Sequence, residues 1–444
     1  MDIQNEIQEL RKKISDIFFL VARYGVYTLF KGEAPTNDFD TTELNRLCFD
    51  GFKKGQEHIL KELISLQIRT KELNIKLKEA RKASDKELAT DISKEIAFVD
   101  YQTDIFRNLA DTITWQLVGG QHYILRRLYT HESGEKDLTA TSFNEVISYS
   151  DAINIDRDSF CLICDITNNV QLGDCLVFST NGMEIIEIKS GEVNKKALAL
   201  IEANTLQRET FDEEQYKELY DKKYIEQIKR ILEQKSKNKK AETILEKGTG
   251  IDPKYPDVKV TIPEETIKIQ TYHETILELL SHLKTKEWAY ECVEAVIHIG
   301  IYRDNWLSIG KEVLESTCKP FPVHDILEGR GIMICEPLFI KPFSDDVILD
   351  IVLGKIKIYI GVDFEKFIEF ANYLGVPARW STKKELAKIL DTRKYNSKEI
   401  FALENKGIIL TINDQEHFLG QGYFVKMIFD HFLPSSSLLM EKEG

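Results

Sequence analysis

The sequence predicts an α/β protein in three parts: a helical N-terminal arm, a small β-rich core and an α+β C-terminal domain. Three observations carry this. Apolar residues recur at helical spacing through roughly the first 118 positions, short β-rich runs replace them after residue 155, and a Gly- and Pro-rich stretch sets off the remainder. A chain of 444 residues also exceeds what one hydrophobic core usually organises.

In the arm, residues 1–110, Ile59, Leu63, Leu66, Leu73 and Leu77 stand among Lys, Glu and Arg. Residues 52–82 and 84–109 read as two long helices, with Ala83, Ser84 and Asp85 supplying capping chemistry between them. Such a coiled-coil-like pair most often makes an interface, so a homodimer through the N-terminal helices is expected.

The second part, residues 111–247, opens with a helix over 115–129 in which Gly119 and Gly120 allow close packing or a break. Strands are expected at 159–166, 174–180 and 183–189, then a charged helical region from Lys195 to about Glu246. Residues 248–264, with glycines 248 and 250 and prolines 253, 256 and 263, read as a linker. The third part, residues 265–444, begins with a helix near 265–301 and mixes strands and helices at 331–341, 355–360, 365–374 and 407–412. Thr382 and Glu385 form a capping box for a helix through Leu390.

Composition narrows the function classes. Hydrophobic residues at 43% and charged residues at 30% fit a folded chain. No apolar run approaches the ~20 residues a membrane helix requires, and residues 1–13 lack the apolar core of a signal peptide. No membrane association and a cytoplasmic location are expected. Seven cysteines, an odd number in a long chain, fit reduced thiols; Cys161 and Cys164 lack a second ligand pair and sit among apolar neighbours, as on a buried strand. The net charge of −14 argues against a non-specific nucleic-acid coat, although one face can still be basic. There is no Gly-x-x-x-x-Gly-Lys-Ser/Thr loop, His-Glu-x-x-His or Gly-x-Ser-x-Gly.

The chemistry concentrates in residues 172–191. Asn181-Gly182 between two β-branched, apolar runs is a strong hairpin signal, because a type I′ turn needs positive φ at both central positions. A two-residue loop there puts Thr180 opposite Met183, Leu176 opposite Glu187 and Asp174 opposite Lys189. Asp174, Glu187 and Lys189 then share one face at the open end of a hairpin central to its sheet. Two carboxylates in an apolar surround are costly unless a cation compensates, and a divalent metal does so. A cross-strand salt bridge between Asp174 and Lys189 is the structural alternative.

Gly173-Asp174, twelve residues, Glu187-x-Lys189 on a hairpin followed by a helix resembles the PD-(D/E)XK, or restriction-endonuclease-like, nuclease superfamily. The resemblance covers about a fifth of the chain and implies a restriction-endonuclease-like core. It implies that Asp174, Glu187 and Lys189 are catalytic, that Asp174, Glu187 and the Ile188 carbonyl hold Mg²⁺, with Mn²⁺ as a substitute, and that the reaction is phosphodiester hydrolysis. A DNA endonuclease acting in defence against foreign DNA or in repair is the implied role, with a partner protein as one source of activation. A non-catalytic scaffold of the same fold, binding nucleic acid or a partner protein, is the alternative.

The sequence departs from the pattern in two places. Gly173 replaces the motif's proline, and no first-helix glutamate occurs between Thr112 and Tyr129, where Gln116 and Gln121 are the polar candidates. Asp165 is a candidate third ligand. Gln227 and Arg230, one helical turn apart, are candidates to line the site. Lys195, Lys196 and Arg230 belong to a basic run that reads equally as a phosphate-tracking surface or as a solvated helix interleaved with Glu226, Glu233 and Glu242. His122, Arg126 and Arg127 read either as phosphate contacts or as structural residues, the arginines sealing the domain through carboxylates.

Overall fold

The structure is a computed structural model that describes all residues except 1–2, 37–38, 130–136, 181, 190–191, 208–210, 218, 254–257, 263–268, 319–321, 330–333, 392–399 and 444. It is a mixed α/β protein with small sheets, and it divides into two compact units: residues 12–264, and residues 265–444 together with 1–11.

The helical period of the arm produces α1 (Ile3–Ala22), α2 (Tyr24–Leu29), α3 (Thr41–Lys82) and α4 (Lys86–Leu117). Asp40 starts α3 by accepting the Thr42 and Glu43 N–H groups at 2.8 and 3.2 Å. The expected break falls where the capping residues stand: Ser84 takes φ +59°, and the Asp85 carboxylate accepts the Leu88 N–H at 3.0 Å. α3 and α4 pack as an antiparallel pair that buries Leu63, Leu66, Leu73 and Leu77 against a face carrying Ile92 and Val99. Gly119 and Gly120, at φ +60° and +70°, break the helix expected across 115–129, and α5 (His122–Leu128) follows.

After α6 (Phe143–Asn154) come β1 (Phe160–Ile163), β2 (Cys175–Ser179) and β3 (Gly182–Ile186), an antiparallel sheet in the order β1-β2-β3. Cys161 is buried on β1, and Cys164 is buried at the start of the 3₁₀ turn that follows. Two expectations need correction. β2, and not the whole hairpin, is central, so β3 lies at the sheet edge with Glu184 exposed and Ile185 buried. The register pairs Phe178 with Met183 and Cys175 with Ile186, two residues offset from the expected one. Ser179 faces Gly182, so the loop holds Thr180 and Asn181; Asn181 itself lies outside the described residues. A shift of two leaves every side chain on its original face.

The charged helical region becomes α7 (Glu192–Ala203), α8 (Glu213–Lys217) and α9 (Lys222–Lys247). α7 and α9 bury Ala197, Ile201, Ile228, Ile231 and Leu232 together. Gly248, at φ +67°, ends α9. The stretch read as a linker then folds: β4 (Thr249–Ile251) pairs with β5 (Lys259–Thr261), and Asp252 forms a buried ion pair with Arg127 of α5. Charge pairing overrides the Gly and Pro signal there.

The second unit contains α10 (His273–His282), β6 (Trp288–Val293), β7 (Ile297–Arg303), α11 (Gly310–Thr317), β8 (Val323–Asp325), α12 (Asp345–Val352), β9 (Ile356–Val362), α13 (Phe364–Tyr373), β10 (Ala378–Trp380), α14 (Lys383–Asp391), β11 (Ile408–Ile412), β12 (Gln415–Phe418), α15 (Gln421–Phe429) and α16 (Pro434–Glu443). Its larger sheet runs β6-β7-β9-β8. The long helix expected to residue 301 ends at His282, because Ile297, Ile299 and Ile301 alternate along a strand with a fully buried face. Residues 338–340 form a 3₁₀ turn, while 331–333 of the expected element lie outside the described residues. The Thr382–Glu385 capping box is present in both directions, at 2.6 and 3.2 Å. Among the described residues, no helix is long and apolar enough to cross a membrane.

The small sheet of the first unit has its outer strand sealed by side chains. Gln56 of α3, buried, donates to the Cys161 carbonyl at 3.0 Å and accepts the Ile163 N–H at 3.0 Å, while Asn154 accepts the Cys161 N–H at 2.8 Å. Gln56→Leu nearly keeps volume but leaves the buried Ile163 N–H without its acceptor, while the Cys161 carbonyl keeps the Ser150 hydroxyl at 3.0 Å. A loss of about 1–3 kcal/mol is expected from the urea midpoint; a loss below about 0.5 kcal/mol, the usual range of a neutral surface change, would refute this role.

Candidate active site

Asp174 enters the site from a turn that only glycine readily makes. Gly173 takes φ +77°, and a Cβ there would stand 2.7 Å from Ile185 Cγ2 and 3.0 Å from the Ile186 carbonyl oxygen. Proline, fixed near −65°, has no access to that conformation, so the departure from the motif is imposed by the backbone at this position.

Asp174 then clips three segments together. Its N–H donates to the Ile186 carbonyl at 2.8 Å, its carbonyl accepts the Cys164 N–H at 2.9 Å, and its Oδ2 accepts the Ile188 N–H at 2.7 Å. The expected pairing of Asp174 with Lys189 does not occur in this register; Asp174 bonds the residue before it. Lys189 Nζ instead lies 3.0 Å from Glu187 Oε2 and donates to Gln234 Oε1 at 2.6 Å. The Lys189 and Glu187 side chains are only 12% and 20% exposed, so their attraction is weakly screened.

Gln234 was not singled out by sequence reasoning. It lies 45 positions beyond Lys189 on a helix crowded with charge, and nothing local marks it. Two turns further along α9, the Glu242 carboxylate accepts the Ile185 N–H, and burial pushes its pKa up. α9 thus meets edge strand β3 at Ile185 and the site lysine at Gln234.

The loop entering the site is held from α4. Arg107 donates to the Asp165 and Thr167 carbonyls at 2.8 and 3.3 Å. Asp111, buried, accepts the Asn168 and Asn169 N–H groups at 2.8 and 3.0 Å and the Asn168 side-chain amide at 3.0 Å. Burial pushes the Asp111 carboxyl up to about 6, against those three donors.

The remaining expected residues divide. Asp165 belongs to the 3₁₀ turn after β1 and not to the strand itself. Among the described residues, no group of three or more His, Cys, Asp and Glu side chains is placed to hold a metal, so Asp165 does not complete a set with Asp174 and Glu187. Gln121 precedes α5 and bonds the Tyr123 hydroxyl; Gln116 donates to the Val21 carbonyl at 2.6 Å. Gln227 donates its side-chain amide to Asn194 of α7 at 2.5 Å. His122 packs edge-on to Trp115 with ring centroids 4.6 Å apart, and Arg127 is the buried partner of Asp252.

The basic run is only partly unpaired. Lys229 is bound by Glu213, and Lys235 lies 3.8 Å from Glu202. Lys195, Lys196 and Arg230 are exposed and without an ion pair among the described residues. What the arrangement offers chemically is the Asp174 carboxylate on the Ile188 N–H and, one residue to either side of Ile188, the Glu187 carboxylate and the largely buried Lys189 ammonium. Comparison with family models, with curated proteins and with solved structures finds no match.

Asp174→Ala removes the acceptor of the Ile188 N–H and is expected to lower stability by about 1–2 kcal/mol, read as a shift in urea midpoint. Asp174→Asn keeps an acceptor oxygen and should recover most of it. An unchanged midpoint in Asp174→Ala would show that this bond is not held in solution.

Proposed function

We propose that residues 155–245 form a PD-(D/E)XK-type, restriction-endonuclease-like core that catalyses Mg²⁺-dependent phosphodiester hydrolysis, with DNA as substrate. The observation that carries this is Lys189 Nζ held 3.0 Å from Glu187 Oε2, one residue from the Ile188 N–H that anchors Asp174. Asp174 and Glu187, with the Ile188 carbonyl, would hold the ion; their all-oxygen donor set suits a hard cation, which Mn²⁺ can replace.

A bound divalent ion supplies Lewis-acid polarisation of the phosphate and a water of lowered pKa. The chain's own groups do the remaining work. The Lys189 ammonium donates to the attacking water or to a phosphate oxygen as negative charge develops. Gln234 fixes the lysine's direction, and Asp174 fixes the backbone between the two catalytic side chains. Lys195, Lys196 and Arg230 supply exposed positive charge that attracts the phosphodiester backbone. Defence against foreign DNA or repair is the role the resemblance suggests. The arm's exposed Ile68, Ile75 and Leu88 support a homodimer, and an activating partner protein belongs to the same proposal.

One observation favours a second reading, a non-catalytic scaffold that binds nucleic acid or a protein. Glu187 and Lys189 already satisfy each other, with Gln234 as the lysine's further acceptor. Supercoiled plasmid, linear duplex and single-stranded DNA, incubated with Mg²⁺, Mn²⁺ or EDTA, separate the two readings. The nuclease reading expects metal-dependent cutting that falls at least about 100-fold in Asp174→Ala and in Lys189→Ala, the scale of losing an electrostatic catalytic group. Cutting that persists in EDTA or in both variants would overturn it.

A further inference from the structure

Residues 429–433, between α15 and α16, carry a buried set of ionisable groups that the proposed reaction does not use. His431 is fully buried, its backbone sits at φ +60°, and neither ring nitrogen has a hydrogen-bond partner among the described residues. Its ring meets that of His273 edge-on at 4.9 Å, with Tyr272 at 5.2 Å and Phe343 at 6.3 Å. Lys341, 1% exposed at its side chain, donates to Glu336 Oε2 at 2.6 Å and to the Phe429 carbonyl at 2.7 Å. Asp430 is buried and accepts the Glu336 N–H at 2.5 Å. The surrounding elements therefore present Tyr272 and His273 from the start of α10, Glu336 and Lys341 from the segment before α12, and Lys426 and Asp430 from α15.

The chain around His431 is bonded to the residues that lead into α10, where Thr271 and Phe432 form an isolated antiparallel bridge. The His431 carbonyl accepts the Tyr272 N–H at 2.9 Å, and Leu433 N–H donates to Gln270 at 2.9 Å. Ser436 Oγ accepts the Gln270 N–H at 2.9 Å, and Ser435 donates to Glu294 through its N–H and hydroxyl at 2.8 and 2.5 Å. We propose that His431, wedged with His273 beside the Lys341 ammonium, is an acid-labile latch that fastens residues 430–443 to the start of α10.

A second proton on either imidazole would place a buried cation beside Lys341, and the carboxylate in reach of His273, Glu336 Oε2 at 3.9 Å from its Nε2, is already held by Lys341. Burial, reinforced by Lys341, lowers His273 to about 4 and His431 well below its ordinary 6.5. Both are depressed, so their contribution to docking is present above 6.5 and is lost as pH falls. Asp430 opposes them: burial pushes its carboxyl up to about 7, so its contribution is fully present below 3.8 and lost as pH rises through about 7. Between pH 7 and pH 5, linkage gives opening a factor of about 25 from each histidine, against about 50 in the other direction from Asp430. The net effect is an opening equilibrium about ten-fold larger at pH 5. This inference does not depend on the nuclease reading.

Hydrogen exchange of the Tyr272 and Leu433 amides in the full chain, corrected for intrinsic rates, tests the latch. The parent should exchange about ten-fold faster at pH 5 than at pH 7, Asp430→Asn should rise by several hundred-fold, and His431→Asn, which tolerates positive φ and does not titrate, should not rise. An unchanged parent, or an equal rise in His431→Asn, overturns the proposal. Imidazole NMR of the parent gives a variant-independent check. Ring signals that stay neutral in form to pH 5 while the segment is docked support the latch, and a His431 that titrates near 6.5 with Tyr272 still protected refutes it.

Discussion

The first unit depends on sealing one strand. β1 has a single strand neighbour and is buried along its length, so its outward-facing peptide groups need partners that water cannot supply. Gln56 and Asn154 take the place of a neighbouring strand. With β1 fixed to α3, β2 becomes the central strand, and the chain that enters β2 arrives at Asp174 in one orientation. Arg107 and Asp111 hold the intervening loop to α4 by the same device, buried side chains satisfying backbone groups. The helical arm is thus the support of the site as well as a candidate interface.

At the site, electrostatics rather than apolar packing sets the geometry. Glu187 and Lys189 are i and i+2 on a segment that has left the strand ladder, and they converge on each other at 3.0 Å. Gln234 from α9 limits where the ammonium can point. Removing either charge leaves the other half-buried and uncompensated, while an added divalent cation would compete with Lys189 for the Glu187 carboxylate. In the proposed reading the pair that forms a salt bridge in this structure would become ligand and catalyst once a metal binds, which is why metal occupancy is the variable that separates the two functional readings.

Legibility in the sequence followed the range of the forces. Periodicity and capping are local, and they placed α3, α4, the break at residues 83–85, the three strands and the Thr382–Glu385 box. The expected shared face of Asp174, Glu187 and Lys189 rested on a ladder running through all three, but the paired strands are Cys175–Ser179 and Gly182–Ile186, so side-chain and backbone bonds and not strand register position these residues. What the sequence concealed is tertiary. Gln234, Gln56 and Asp111 act across 45, 105 and 57 positions, and each lies on a helix whose own pattern explains its residue type without the contact. The apparent linker failed for a related reason: Asp252 pairs with Arg127 over 125 positions, and that contact fastens a short hairpin where Gly and Pro alone suggested none. The long helix expected from residue 265 failed because Ile-His-Ile-Gly-Ile reads as apolar content on either period, and only burial of alternate residues distinguishes them.

The central claim is that Asp174 and Glu187 form a divalent-cation site next to Lys189. Isothermal titration of Mn²⁺ into the metal-stripped full chain, compared with Asp174→Ala and Glu187→Gln, tests it most directly. The account predicts saturable binding by the parent that is lost in Asp174→Ala and weakened in Glu187→Gln. Absence of binding by the parent, or equal binding by all three proteins, would contradict it.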